Sequence, residues 1–150
     1  MALTIILVED SEDDAFFFQR TLEKTGISCD CVHVSTGEAA VSYLKQHHDC
    51  SYLVFLDLRL PGVNGFAVME WLQTQRFEHH IEVVILSGSG DPCDVTSAGK
   101  HGVTDYLIKP ISKTDLAKRI QTQLEKEQVA RSSTLLWLNS RIQNSPLCQA

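Results

Sequence analysis

Five polar residues stand where runs of apolar residues stop. Glu9 and Asp10 follow Leu3-Thr4-Ile5-Ile6-Leu7-Val8, and Asp57 follows Tyr52-Leu53-Val54-Phe55-Leu56. Ser87 follows Glu82-Val83-Val84-Ile85-Leu86, and Lys109 follows a run that ends at Ile108. Three carboxylates gathered in one pocket repel one another and cost free energy unless a cation sits among them. Their oxygens are hard donors, which suits Mg²⁺, an ion that keeps several waters and binds through a few carboxylates plus phosphate. An anionic phosphoryl group approaches such a cluster only with the metal present. The metal and the ammonium of Lys109 then share the charge that builds on the transferring oxygens. In that setting the carboxylate of Asp57 is a nucleophile able to form an aspartyl phosphate.

Each residue alone has a plainer reading. Asp57 or Ser87 serves equally well in a turn, Lys109 as a solvated surface lysine, and Tyr106 as a half-buried packing residue. Their coincidence at neighbouring strand ends is what argues for chemistry. Asp13 and Asp14 read as first-turn acids that suit a helix dipole, and they are not assigned to the metal. His47-His48 and His79-His80 read as surface residues, because adjacent positions on a helix do not face each other.

Placing these groups together requires particular elements. Short apolar runs alternate with amphipathic stretches. Strands are expected at 3–8, 29–34, 52–57, 82–86 and 103–108. Helices are expected at Glu12 to Thr25 (capped by Ser11, ended by Gly26), at about 37–46, Gly65 to Arg76, Asp91 to His101, and from the Ser112 cap to about Gln128. The second of these opens on Ser35-Thr36-Gly37-Glu38, which has capping-box spacing. Strands apolar on both faces that alternate with helices imply an α/β fold with a parallel sheet covered on each side. In doubly wound sheets of this kind the working groups collect at the carboxyl ends of the strands.

Beyond residue 128 the pattern weakens. Arg131-Ser132-Ser133-Thr134 reads as a hinge, followed by a short amphipathic helix around Leu135, Leu136, Trp137, Leu138 and Ile142. About twenty residues are too few for a second core. Residues 129–150 are therefore expected to be a helical C-terminal extension without a separate output domain, packed on the body or joining two subunits as a homodimer. Phe16-Phe17-Phe18 is more than one buried helix face needs, so at least one ring is expected to point outward as a candidate partner surface, as Trp71 and Phe77 also could.

Composition narrows the class. The 150 residues are 43% hydrophobic and 21% charged, with a net charge of −6. Residues 1–110 hold 7 Lys/Arg against 16 Asp/Glu, whereas residues 111–150 hold 6 against 3. An acidic body argues against direct nucleic-acid binding, which needs a basic face. No apolar run approaches the ~20 residues of a bilayer span, and Met1-Ala2-Leu3-Thr4 lacks a secretory signal, so a cytoplasmic protein without membrane contact is expected. Five cysteines with no C-x-x-C pair indicate neither a disulfide framework nor a zinc site, and read as packing residues.

The chain resembles the receiver domain of two-component response regulators over residues 1–128. The matching segments are Ile5-Ile6-Leu7-Val8-Glu9-Asp10-Ser11, Phe55 through Gly65, Val84-Ile85-Leu86-Ser87-Gly88 and Asp105-Tyr106-Leu107-Ile108-Lys109-Pro110. The resemblance implies a flavodoxin-like (βα)5 fold with a five-stranded parallel sheet in the order 2-1-3-4-5. It implies that Asp57 is the phosphoacceptor, that Asp10, Asp57 and the backbone carbonyl of Arg59 ligate Mg²⁺, and that Glu9 supports the ion. It makes Lys109 the phosphate-binding lysine, Ser87 the switch hydroxyl and Tyr106 the aromatic switch, with a cis Lys109–Pro110 bond. Arg59 and Ser89 match positions that tune the phosphoryl lifetime. The implied phosphodonor is a sensor histidine kinase or a phosphotransfer protein, and the output is altered binding to an unknown downstream protein. Such a domain is a signalling phosphoacceptor with its own phosphorylation and dephosphorylation chemistry, not an enzyme in the ordinary sense. Val8-Glu9-Asp10-Ser11-Glu12-Asp13-Asp14 is similar to stand-alone receivers related to cyanobacterial phytochrome regulators.

Other classes fit less well. A phosphatase passing through an aspartyl phosphate typically carries D-x-D on its first strand, where this chain has Glu9-Asp10. A flavin module needs hydroxyls and amides there to hold phosphate. The alternative retained is a degenerate receiver that acts as a phosphorylation-independent interaction module.

Overall fold

The computed structural model describes residues 3–47, 51–62, 64–74, 81–88, 96, 99–100 and 105–143, with backbone alone at 139 and 141–143. The histidines 48, 79 and 80, Phe77, Ser89, most of the helix expected at 91–101, and Cys50, Cys93 and Cys148 lie outside the described residues.

The apolar runs form one sheet. β1 (Leu3–Val8) and β3 (Ser51–Asp57) are buried along almost their whole length, and β4 (Ile81–Ser87) along its second half. β2 (Asp30–Val34) and β5 (Asp105–Ile108) are less buried and form the edges. All pairings are parallel and the order is β2-β1-β3-β4-β5, the flavodoxin-like arrangement expected. Central strands of such a sheet have no polar face, which is why they read as continuous apolar runs. The starts of β2, β3 and β4 differ from expectation by one residue, as at Asp30 for Cys29, and β1 starts where expected.

The helices begin where side chains can satisfy their free N–H groups. α1 (Glu12–Lys24) is capped by Ser11, whose Oγ accepts from the Asp14 N–H at 3.3 Å, and Glu12, Asp13 and Asp14 fill its first turn. Gly26, at φ +70°, follows its end. α2 (Gly37–Gln46) corrects the expected capping box. Its cap is Thr36, one residue after Ser35, because the extended Thr36 backbone brings its Oγ1 to 3.1 Å from the Ala39 N–H. α3 spans Gly65–Thr74.

Period-two alternation sends the strands' side chains to two faces. Ile6, Val8, Val54, Leu56 and Ile85 pack with Ala40 and Leu44 of α2 and Val68 and Met69 of α3. On the opposite face Phe55 meets Phe18 of α1, with ring centroids 5.0 Å apart at 60°. Phe16 and Phe17 are 64% and 50% exposed, so two of the three rings point outward, and the Arg20 guanidinium lies 5.7 Å from the centre of Phe16.

One glycine fixes the loop after β3. The Gly65 N–H donates to the Leu58 carbonyl at 3.3 Å, and a Cβ at residue 65 would stand 2.7 Å from the Asp57 carbonyl oxygen and 2.8 Å from Leu58 Cα. Both neighbours are backbone, so neither can swing aside. Gly65→Ala is expected to cost about 1–3 kcal/mol by overpacking. Chemical denaturation would read this as a lower midpoint; an unchanged midpoint would show that the loop gives way freely.

Cys29 and Cys31 are free thiols. Burial, with the neighbouring Cys29 second, pushes Cys31 up to about 11, and burial followed by the Asp30 charge raises Cys29. Neither is a ready thiolate, in keeping with a packing role.

Contacts divide the chain into a unit up to Ala117 and a unit from Lys118 onward. The last helix starts behind Ser112, whose Oγ accepts from the Asp115 N–H at 3.1 Å, and spans Lys113–Gln143. The hinge expected at 131–134 is therefore helical. Its hydroxyl chemistry is absorbed by the helix itself: Thr134 Oγ1 donates to the Ala130 carbonyl at 3.0 Å. Val129, Leu135, Leu136, Trp137 and Leu138 are exposed along it. Among the described residues no helix is long and apolar enough to cross a membrane.

Candidate functional site

Register brings the strand ends level. Val8 pairs with Leu56, Asp57 with Leu86, and Ser87 with Ile108. Backbone bonds extend this alignment past the strands: the Glu9 N–H donates to the Val34 carbonyl at 3.0 Å, and the Lys109 N–H donates to the Ser87 carbonyl at 2.8 Å. Glu9, Asp57, Ser87 and Lys109 thus reach one rim although 100 residues separate the first from the last.

Glu9 is the most tightly held. It is 2% exposed. Its Oε1 accepts from the Ser11 N–H at 3.1 Å and its Oε2 from the Lys109 ammonium. Its own carbonyl lies 2.8 Å from His33 Nε2 on β2, a contact that selects the tautomer with the proton on Nε2. Asp57, 7% exposed, accepts from the Arg59 N–H at Oδ1 (3.0 Å) and from Lys109 at Oδ2 (3.1 Å). Lys109 makes a third ion pair, at 3.1 Å, with Asp14. Asp10 stands exposed beside the buried pair, and one oxygen from each of Glu9, Asp10 and Asp57 lies within 4.8 Å of the others.

The electrostatics follow from burial. Desolvation raises the Glu9 carboxyl above its ordinary value, and the Asp57 charge adds to this, while hydrogen bonds from Lys109 and Ser11 pull the other way. For Lys109, desolvation favours the neutral form, but the hydrogen bonds to Glu9, Asp14 and Asp57 outweigh it and raise the pKa above the ordinary lysine value. The lysine is a permanent cation. Three carboxylates against that single ammonium leave negative charge over, and their hard oxygens at this spacing fit a small divalent cation. Beside them a cavity of about 540 Å³ runs past Glu9, Asp14, Lys109, Phe17, Phe18 and Ile111.

The other expected residues are nearby. Ser87 is buried at the end of β4, and Arg59 is exposed two residues after Asp57. Tyr106, opposite Ile85 in the ladder, packs half-buried against the core. Lys109–Pro110 is cis, as the resemblance implied. Asp14 and His33 were not foreseen at the site. Asp14 is legible in the sequence as a first-turn acid of α1, but nothing local points it at a lysine 95 residues away.

The family profile described as response regulator receiver domain matches residues 5–121. The chain belongs to this family. Receiver domains are signalling modules of two-component systems. FilR2 of Methanothrix harundinacea, named a probable methanogenesis regulatory protein, is 34% identical over 121 residues, covering 78% of each chain. The transcriptional activator protein IrlR of Burkholderia pseudomallei is 32% identical over 89% of this receiver and 55% of its own length. This receiver spans about half the length of several such relatives. Among solved structures, the bacteriophytochrome response regulator RtBRR superposes with a TM-score of 0.70 at 29% identity, covering 81% of this chain and 77% of that one. The Mn²⁺-bound form of response regulator Rcp1 superposes at 0.64 with 31% identity, covering 79% and 89%.

Proposed function

We propose that this receiver accepts a phosphoryl group on Asp57 from a phosphohistidine of a sensor kinase or phosphotransfer protein, and so changes its affinity for a downstream protein. The observation that carries this is the joint placement of Asp57 Oδ2 against Lys109 and beside Glu9 and Asp10. Asp10, Asp57 and the Arg59 carbonyl would hold Mg²⁺, with Glu9 in support; a Mn²⁺-bound relative is in keeping with this. When bound, the ion draws charge from the phosphoryl oxygens.

The protein's own part follows from its geometry. The Arg59 N–H, 3.0 Å from Asp57 Oδ1, holds the carboxylate plane and leaves the other oxygen for attack. An oxygen of Asp57 forms a bond to phosphorus as the bond from phosphorus to the imidazole nitrogen of the donor breaks. The imidazole leaves and takes up a proton. Lys109 binds the oxygens that gain charge. Water attack on the same phosphorus would later return the carboxylate and inorganic phosphate, and Arg59 matches the position that tunes this step in receivers. Ser87, at the end of β4, is the hydroxyl that would turn to the phosphoryl oxygens, and Tyr106 would respond along β5. The downstream partner must prefer one of the two states for the signal to pass.

Treatment with acetyl phosphate and Mg²⁺, followed by mapping of the alkali- and hydroxylamine-labile phosphate, tests the reading. Phosphate on the peptide that holds Asp57 supports it; phosphate elsewhere, or none, overturns it.

The exposed leucines and tryptophan of the last helix favour a second copy as an additional partner, since such patches seldom stay in water. Removing residues 129–150 should lower the mass in solution from dimer to monomer by sedimentation. An intact-length protein that sediments as a monomer would rule this out.

A further inference from the structure

An ammonium group has three N–H donors. Lys109 directs all three to carboxylates: Glu9 Oε2, Asp57 Oδ2 at 3.1 Å and Asp14 Oδ2 at 3.1 Å. The first two belong to the site described above. Asp14 comes from elsewhere, the first turn of α1, where the Ser11 cap pins its backbone N–H. Its side chain is 50% exposed.

We propose that Asp14 is a positioning residue that competes with the phosphoryl group on Asp57 for the ammonium of Lys109. The inference rests on the phosphoacceptor reading and deepens it. A phosphoryl group moves the negative charge of Asp57 outward onto new oxygens, and Lys109 must turn toward them. With no N–H to spare, it has to give up a carboxylate. Releasing Glu9 would strand a buried charge without its cation, which is costly. Releasing Asp14 exposes a half-solvated carboxylate to water, which costs little. The bond to Asp14 is therefore the one that breaks. In the unmodified protein the first turn of α1 is tied to the end of β5; in the phosphorylated protein it is not. Asp14 also adds a negative charge near the incoming anion, which acts in the same direction.

Asp13 provides the control. It is the neighbouring residue, lies in the same helical turn and lines the same cavity, but makes no ion pair with Lys109. Asp14→Asn and Asp13→Asn remove the same charge from almost the same place, and only the first removes an ion pair with Lys109, leaving at most a weaker amide hydrogen bond there. The measurement is the dissociation constant for beryllofluoride, a tetrahedral phosphoryl mimic that binds the acceptor carboxylate, taken by calorimetry at saturating Mg²⁺ with melting curves to confirm the fold. Asp14→Asn should bind roughly two- to fivefold more tightly than Asp13→Asn, the scale of one half-exposed ion pair. Equal constants in the two variants, or weaker binding by Asp14→Asn, would overturn the competition while leaving the phosphoacceptor in place. No binding by the wild-type protein would overturn the phosphoacceptor reading and this inference with it.

Discussion

Asp57→Asn will take up no phosphoryl group from acetyl phosphate in Mg²⁺ and will remain folded. The amide keeps the shape of the carboxylate, and its oxygen can still accept from the Arg59 N–H that now lies 3.0 Å away. It has lost the charge that makes the oxygen a nucleophile and a hard metal donor. Loss of a nucleophile typically removes at least about a thousandfold of rate. Stability should move the other way. The Asp57 charge helps hold the Glu9 carboxyl above its ordinary value, so neutralising residue 57 relieves repulsion inside a buried site. An equal or higher melting temperature beside absent labelling is the expected pair of results. Label retained by the variant would show that another residue accepts the group.

Lys109→Ala should damage both stability and chemistry, and its stability loss should depend on pH. The wild-type ammonium bonds Glu9, Asp14 and Asp57 at once. Without it Glu9 keeps the Ser11 N–H but has no cation at 2% exposure. Breaking a buried pair from one side costs about 3 kcal/mol. Glu9 already titrates above its ordinary 4.5, and losing the lysine raises it further. A carboxyl whose folded pKa exceeds its unfolded one favours folding while it is protonated. That contribution fades as pH rises from the unfolded value through the folded one. The variant should therefore lie nearest the wild type at a pH below 4.5 and furthest from it well above the raised Glu9 value, near neutrality. Mg²⁺ should recover part of the loss at the higher pH, because it replaces the missing positive charge. Phosphorylation should slow by about 10²- to 10³-fold, as for loss of one oxyanion-stabilising donor. Urea denaturation at the two pH values would falsify this account if the gap to wild type were the same at both.

Much of this site is legible in the sequence because a parallel sheet is a strong constraint. Apolar runs that end in acids, a hydroxyl and a lysine need only lie side by side for their ends to meet, and the order β2-β1-β3-β4-β5 does this. What escaped notice depends on reach in three dimensions. The Lys109 side chain is long enough to touch α1, so Asp14 joins it from 95 residues away. His33 lies on an edge strand and bonds a backbone carbonyl, a contact that no residue spacing announces. The shift of the α2 cap from Ser35 to Thr36 turns on the extended backbone of Thr36, at φ −136° and ψ 157°, since either hydroxyl suits the role chemically. Ser132, Ser133 and Thr134 read as a hinge because such residues compete with helix bonds. Bonding back onto the preceding turn, as Thr134 does, lets the helix continue through them.

The contact between Glu9 and Lys109 spans 100 residues of chain, and this has a consequence for how the protein comes into being. No fragment ending before β5 owns the ammonium that neutralises its own buried acids. A chain still emerging from the ribosome carries Asp57 long before it carries the lysine. Contacts this distant in sequence tend to form late, since the loop between them must be closed first. The charge balance of the acidic rim and the closing of the sheet by its last strand therefore arrive together.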